Sequence, residues 1–277
     1  MSTRVADATV AQERWKPTPL VAASMGLHGL AGVGLLLGAE AWPWAIGAVA
    51  ANHVFLGAVG MWPRSTWLGA NLTRLPGAAV ARHEIALTFD DGPDPDVTPR
   101  VLDILDTHAV RATFFCIAAR ATKHPELCRE IARRGHAIEN HSREHSMKFA
   151  MNGMGGLRRE ISAAQSDLAT ITGRVPRFFR PPAGIRNPLL DPVLHDLGLR
   201  LVSWTRRGFD TRRSDADFVL ARLAGNLAAG DILLLHDGHC ARAANGEPVV
   251  LQVLPRLIGQ ALSLGLKPVT LDHATTP

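Results

Sequence analysis

Four short segments of this chain carry side chains that could do acid–base or metal chemistry. Thr88-Phe89-Asp90-Asp91-Gly92 sets two adjacent carboxylates at the end of an apolar run. Neighbouring residues at a strand end point in different directions, so one carboxylate can bind a metal while the other faces a substrate. His141-Ser142-Arg143-Glu144-His145 places two imidazoles four positions apart, on one face if the segment is helical or tightly turned. Two histidines and a carboxylate form a familiar catalytic metal set that leaves positions open for water and substrate. Asp231–Asp237 (DILLLHD) delivers His236 at the end of another apolar run, where a buried polar group needs a partner. Arg180-Pro181-Pro182-Ala183-Gly184 is a rigid loop. Its arginine can hold a carboxylate by forked hydrogen bonds, and its backbone N–H groups can act as oxyanion donors. Taken singly, each segment has an ordinary explanation: Asp-Gly makes turns, a lone H-x-x-x-H recurs on surfaces, and a strand-end histidine can be structural.

The elements that must position these groups alternate in type. Strands are expected at Glu84–Phe89, Ala112–Ile117, Ala137–Glu139, up to Phe178–Arg180, Leu199–Trp204, Asp231–His236 and Lys267–Leu271. Helices are expected at Thr98–Asp106, Pro125–Arg134, Leu157–Thr172, from Asp191 to a stop at Gly198, Asp215–Ala228 and Val250–Leu264. Pro99 and Pro125 suit first helical turns, and Gly135 and Gly173 suit the ends. Repeated strand–helix units imply a parallel sheet covered by helices, either a barrel or a doubly wound sheet. In barrels the chemistry gathers at the carboxyl ends of the strands. Asp90, Asp91, His141, Arg180 and His236 all fall at such ends.

With 277 residues, 47% apolar and 20% charged, the chain can build a sizeable core. The net charge of +5 is dispersed in arginine pairs (133/134, 158/159, 206/207, 212/213) without interleaved aromatics, which argues against a nucleic-acid partner. An anionic substrate or a lipid headgroup surface stays compatible with it. Cys116, Cys128 and Cys240 form no C-x-x-C pair and leave one unmatched, which argues against a disulfide framework and favours a reducing compartment.

Composition changes near residue 64. Pro19–Glu40 and Pro43–Trp62 are two apolar runs without Lys, Arg or Asp, each about long enough to cross a hydrocarbon core of roughly 30 Å. Trp42, Trp44 and Trp62 sit at run ends, where indoles favour the interface. A cleaved signal peptide or a soluble buried hairpin would also contain apolar runs, but a signal peptide has one shorter core. The expected organisation is a tail at 1–18, a transmembrane helical hairpin at 19–62, a linker at 63–82 and a catalytic domain at 83–277. Arg4, Arg14 and Lys16 precede the first run and Arg64, Arg74 and Arg82 follow the second. The positive-inside rule then predicts a multi-pass inner-membrane protein with a cytoplasm-facing catalytic domain; a single crossing would reverse that face.

TFDDG, HSREH, RPPAG, SWTRRGFD and LLLHD, in this order, resemble the five motifs of the polysaccharide deacetylase family, the NodB-homology domain also called carbohydrate esterase family four. The resemblance spans about Glu84 to Asp272. It implies a distorted (β/α) barrel and hydrolysis of an N-acetyl, or sometimes O-acetyl, group on a sugar. By motif, Asp90 would be the general base and Asp91, His141 and His145 the ligands of one divalent ion. That ion would be Zn²⁺, with Co²⁺, Ni²⁺ or Fe²⁺ as alternatives. His236 would be the general acid, Arg180 would orient Asp90, and Asp210 would hydrogen-bond His236. Pro182, Ala183 and Gly184 would form the oxyanion and substrate loop.

Two positions depart from the family pattern. Ala183 replaces a usual tyrosine and Thr211 a frequent tryptophan, while Arg206 and Arg207 make the groove more basic. The expected function is a membrane-tethered sugar N-deacetylase whose partners are an N-acylated sugar and membrane lipid. The alternatives are a deacylase or deformylase of a lipid-linked amino sugar at the inner leaflet, since some relatives act on polyprenyl-phosphate-linked sugars, or a non-catalytic glycan-binding membrane protein. The remaining histidines, His239 among them, match no motif and are expected to be structural or exposed.

Overall fold

The computed structural model describes residues 14–276. Arg4 and most of the tail expected at 1–18 lie outside the described residues. The chain beyond residue 83 is built on eight strands: β1 (Glu84–Asp90), β2 (Thr113–Cys116), β3 (Ala137–Asn140), β4 (Phe178–Phe179), β5 (Arg200–Leu201), β6 (Arg206–Arg207), β7 (Ile232–His236) and β8 (Lys267–Val269). They form one parallel sheet in the order β5-β4-β3-β2-β1-β7-β6, with β8 also paired to β1. The sheet curls into a half-barrel covered by helices, as the barrel expectation requires.

The central strands β1 and β7 are buried along their whole length, which explains their nearly continuous apolar sequences. Their two faces have different jobs. Ile85, Leu87 and Phe89 of β1, and Leu233 and Leu235 of β7, pack on the outer helices Thr98–Thr107, Ala216–Ala224 and Val249–Ser263. Ala86, Ile232 and Leu234 point inward to a second cluster with Phe115, Phe178, Val202 and Trp204. Strand side chains alternate, so Thr88, Asp90 and His236 are carried on the inner face with Ala86 and Ile232. Asp90 and His236 are direct partners in the β1–β7 register, which brings both to the carboxyl ends together.

Helix boundaries lie within a few residues of those expected, and three short helices were not anticipated: Gly77–Ala81, Ala118–Ala121 and Leu271–Thr275. β6 is also unanticipated. Residues 63–82 are in close contact with the sheet: Leu72 N–H donates to Leu201 O, Ser203 N–H donates to Leu72 O, and Leu75 and Ala79 are buried in the inner cluster. All three cysteines are free thiols.

The two N-terminal helices, Pro19–Leu37 and Trp42–Gly60, pack on each other as a hairpin. Both are long and apolar enough to cross a membrane. Leu30, Leu36, Trp44 and Val54 are largely exposed. The base is buried against the rest of the chain, where Val21, Leu56 and Val59 meet Leu68. Polar residues within the pair satisfy one another: Asn52 Nδ2 donates to Ser24 Oγ at 2.8 Å and the His28 and His53 Nε2 atoms lie 3.2 Å apart. The base is also tied by hydrogen bonds, Arg186 N–H to Gly60 O (3.1 Å), Trp15 Nε1 to Asp191 Oδ2 (2.7 Å) and Thr18 Oγ1 to Trp67 O (2.6 Å).

Candidate active site

Asp91 leaves the end of β1 with φ +71°, so its carboxylate turns away from that of Asp90. Gly92 follows, pressed so close to the turn after β7 that a Cβ there would sit 2.2 Å from Asp237 Oδ2. The HSREH segment is a tight loop, not a helix. Ser142 and His145 adopt φ +64° and +52°, with Ser142 N–H bound to Asn140 Oδ1 and His145 N–H bound to Ser142 Oγ. This turn brings His141 Nε2 and His145 Nε2 to 3.3 and 3.1 Å from Asp91 Oδ1.

The cluster has the properties of a metal site. Its three donor atoms lie within 4.8 Å of one another. Asp91 Oδ1 is buried yet has no hydrogen-bond partner among the described residues. His141 Nδ1 lies 2.7 Å from the Arg180 carbonyl oxygen, an acceptor, so it carries the proton and leaves the Nε2 lone pair free. Burial raises the Asp91 carboxyl, but His141, His236 and His145 outweigh it and hold Asp91 well below the usual carboxylate range. Burial, then the His141 charge, pushes His145 down to about 4, so it presents a neutral imidazole. Burial opposes charging of His141, yet Asp90 and Asp91 raise it: the pocket's field favours a cation.

Asp90 is held by Arg180. Arg180 Nη1 donates to Asp90 Oδ1 at 2.6 Å and to Thr88 Oγ1 at 3.0 Å, while Nε and Nη2 reach the carbonyls of Val202 and Ser203. The guanidinium is fully buried and lies 4.1 Å from the Phe115 ring centre. On the adjacent strand, His236 Nδ1 lies 2.8 Å from Asp210 Oδ1, and its backbone N–H donates to Asp210 Oδ2 at 2.8 Å. Burial disfavours the imidazolium, but Asp210 outweighs it and, with Asp90 and Asp91, raises His236 to about 9. Its Nε2 is left for another partner. In the Pro182–Gly184 turn Ala183 has φ +55°, is exposed, and its N–H donates to no acceptor among the described residues.

All seven side chains expected to act, Asp90, Asp91, His141, His145, Arg180, Asp210 and His236, are thus assembled at one end of the sheet. Two neighbours escaped the sequence. His239 Nδ1 lies 3.4 Å from Asp91 Oδ2, and its other nitrogen contacts Arg120, which also donates to the Asp91 carbonyl at 2.8 Å. Asp237 is fully buried and takes a 2.6 Å hydrogen bond from Thr98, with burial raising its carboxyl to about 7. Their position just past a strand-end histidine was the available signal. Of the basic pair, Arg206 is bound to Asp231 at 2.6 Å. Arg207 instead lies over Trp204 and Phe209, 5.4 and 5.1 Å from the ring centres, with Nε unpartnered among the described residues.

The polysaccharide deacetylase family model matches residues 77–202. The chain is also 31% identical over 200 residues to the peptidoglycan-N-acetylglucosamine deacetylase of Bacillus cereus, covering 72% of this chain and 71% of that one. It belongs to the polysaccharide deacetylase family. A chitooligosaccharide deacetylase of Azorhizobium caulinodans is 39% identical to this family member over 155 residues, 56% of this chain and 73% of the relative. Among solved structures, a peptidoglycan N-acetylglucosamine deacetylase in complex with a naphthalenyl N-oxidanyl-benzamide superposes with a TM-score of 0.67 at 29% identity, covering 74% of this chain and 92% of that one. The chain is a carbohydrate deacetylase by family, and the assembled site agrees with that chemistry.

Proposed function

We propose that this chain is a membrane-anchored, divalent-metal-dependent hydrolase that removes the acetyl group from an N-acetylated amino sugar of a glycan or glycoconjugate. The observation that carries this is the meeting of two hydrogen-bonded acid–base pairs, Asp90 with Arg180 and His236 with Asp210, beside the Asp91–His141–His145 cluster. The relatives' names, which specify N-acetylglucosamine and chitooligosaccharide deacetylation, support the sugar amide as substrate.

Asp91, His141 and His145 would hold the ion; their nitrogen and carboxylate donors suit Zn²⁺ and also serve Co²⁺, Ni²⁺ or Fe²⁺. When bound, it supplies Lewis acidity to the acyl carbonyl and makes a nearby water more acidic. Asp90, kept in place by Arg180, takes the proton of the attacking water. The water oxygen bonds to the acyl carbon, and the free Ala183 N–H stabilises the negative charge on the carbonyl oxygen. The carbon–nitrogen bond then breaks with its electrons going to nitrogen, and His236 Nε2 delivers its proton there. Acetate and a free amino sugar leave.

The membrane part of the proposal rests on the two apolar helices, with residues 19–62 as a hairpin anchor, 63–82 joining it, and 83–277 as the catalytic domain. The charges flanking the hairpin support a multi-pass inner-membrane placement with that domain on the cytoplasmic face. The test is acetate release from N-acetylated sugars by the full chain, with metal content measured in parallel. Asp90→Asn is expected to keep its metal and lose about 10²–10⁴-fold in rate. Full activity in that variant would sink the assigned mechanism.

A further inference from the structure

Between the hairpin and the catalytic loops lies a cleft of about 980 Å³. That is the upper end of the roughly 300–1,000 Å³ typical of small-molecule sites. Met25, Leu56 and Met61 form its hairpin wall, and Met154, Ile185 and Leu189 its catalytic-domain wall. The second wall is formed by segments that follow the active-site loops in the chain. Ile185 follows the Pro182–Gly184 turn, and Met154 ends the segment that leaves His145. That segment also turns Met147 and Met151 outward, 81% and 82% exposed. Exposed apolar side chains gathered beside a functional site mark a surface that meets something apolar.

Two observations say what fills the cleft. First, its walls include both helices that are long and apolar enough to cross a membrane, so a hydrocarbon chain entering from a bilayer reaches the cleft along apolar surface. Second, Arg186 is the one arginine, lysine or carboxylate among the lining residues. It is 4% exposed, its Nη2 donates to Ser65 O, and its Nε has no acceptor among the described residues. Asp191 supplies the nearby negative charge, but a buried guanidinium with a spare donor still calls for an acceptor, and an anionic one is the strongest. A neutral glycan offers neither a chain nor a charge.

We propose that this cleft seats the hydrocarbon chain of a lipid-linked amino sugar, with the anionic linkage meeting Arg186 and the N-acetylated sugar delivered past Ala183 to Asp90 and His236. The proposal rests on the deacetylase function above and narrows its substrate to an amphiphile. The hairpin is then part of the substrate site as well as an anchor.

The test offers the full chain, in phosphatidylglycerol vesicles, two probes: N-acetylglucosamine 1-phosphate esterified to a long prenyl chain bearing a terminal diazirine, and the methyl ester of the same sugar phosphate. The expected result is a kcat/KM at least about tenfold higher for the prenyl probe. Irradiation should place adducts on peptides containing Met25, Leu56, Met154 or Leu189, and excess non-photoreactive prenyl probe should suppress them. Leu56→Trp and Met154→Trp, each folded by its melting curve, should bring the prenyl-to-methyl ratio of kcat/KM towards one. Equal kcat/KM for the two probes with adducts elsewhere would overturn the proposal. So would a diazirine phosphatidylglycerol that labels the same peptides and is not displaced by the prenyl probe, since the cleft would then hold a resident bilayer lipid. Displaceable adducts in the cleft without acetate release from either probe would instead overturn the deacetylase function and leave the cleft assignment standing.

Discussion

Arg180 donates to Asp90 at 2.6 Å from a position with no solvent access, so the carboxylate at the end of β1 is held directly by a buried guanidinium. The same guanidinium binds Thr88 and the carbonyls of Val202 and Ser203, fixing its plane. Arg180→Met removes the counter-charge and is expected to cost about 3–5 kcal/mol of stability, the usual effect of breaking a buried pair. Arg180→Lys keeps the charge but loses the fork. It is expected to fold, with acetate release reduced about ten- to a hundredfold. Denaturant unfolding together with steady-state kinetics separates the two outcomes.

Asp210 sets the working range of His236. The imidazolium is the active form for protonating the leaving amine, so the rate falls as pH rises through its pKa. In the wild type this alkaline limb is expected near 9. Asp210→Asn removes the group that outweighs burial, so the limb should move down to the ordinary histidine range or below it, near or under ~6.5. The sign also holds for stability: the raised folded-state value contributes fully below the unfolded value and is lost as pH rises through about 9. A pH–kcat profile of both proteins checks the shift; superimposed alkaline limbs would remove His236 from the acid role.

Much of this site was legible because strand ends carry a strong local signal. Apolar runs of the length of β1 and β7 ending in Asp90 and His236 leave little freedom in where those side chains go. Period-two alternation alone puts Thr88, Asp90 and His236 on one face. The Asp210–His236 and Arg180–Asp90 pairs join segments distant in sequence and came only from the family motifs. β6, at Arg206–Arg207, is two residues long and has no periodicity to read. The HSREH turn depends on positive φ at Ser142 and His145, which neither residue type announces. His239 was missed because a lone histidine past a motif is usually unremarkable, and only the fold returns it to Asp91. The pressing of the hairpin base onto Arg186 is likewise a tertiary contact without a local signature.

The Asp91–His141–His145 cluster predicts that activity is metal-dependent and that the metal stabilises the fold. Dialysis against a chelator should abolish acetate release, and stoichiometric Zn²⁺ should restore it. Because a ligand that binds only the folded state stabilises it by mass action, a concentration of 100 times Kd should add about 2.7 kcal/mol. Asp91→Ala should lose that metal-linked rise in Tm together with the activity. Unchanged metal content in Asp91→Ala, measured by elemental analysis, would place the ion elsewhere.

Gly60 tests whether the hairpin is docked or merely tethered. A Cβ at this position would sit 2.1 Å from the Arg186 carbonyl, far inside contact distance, so a side chain forces the last turn of the Trp42–Gly60 helix off the 185–187 segment. The displaced segment begins just beyond Gly184, which is itself packed against Trp204 and Pro63. Gly60→Leu is therefore expected to destabilise by about 1–3 kcal/mol, the range for forced overpacking. It should also open residues 61–70 to limited proteolysis in membranes. If the hairpin were only tethered, the variant would melt like the wild type and yield the same proteolytic fragments, because the clash would be relieved by free movement of the two helices.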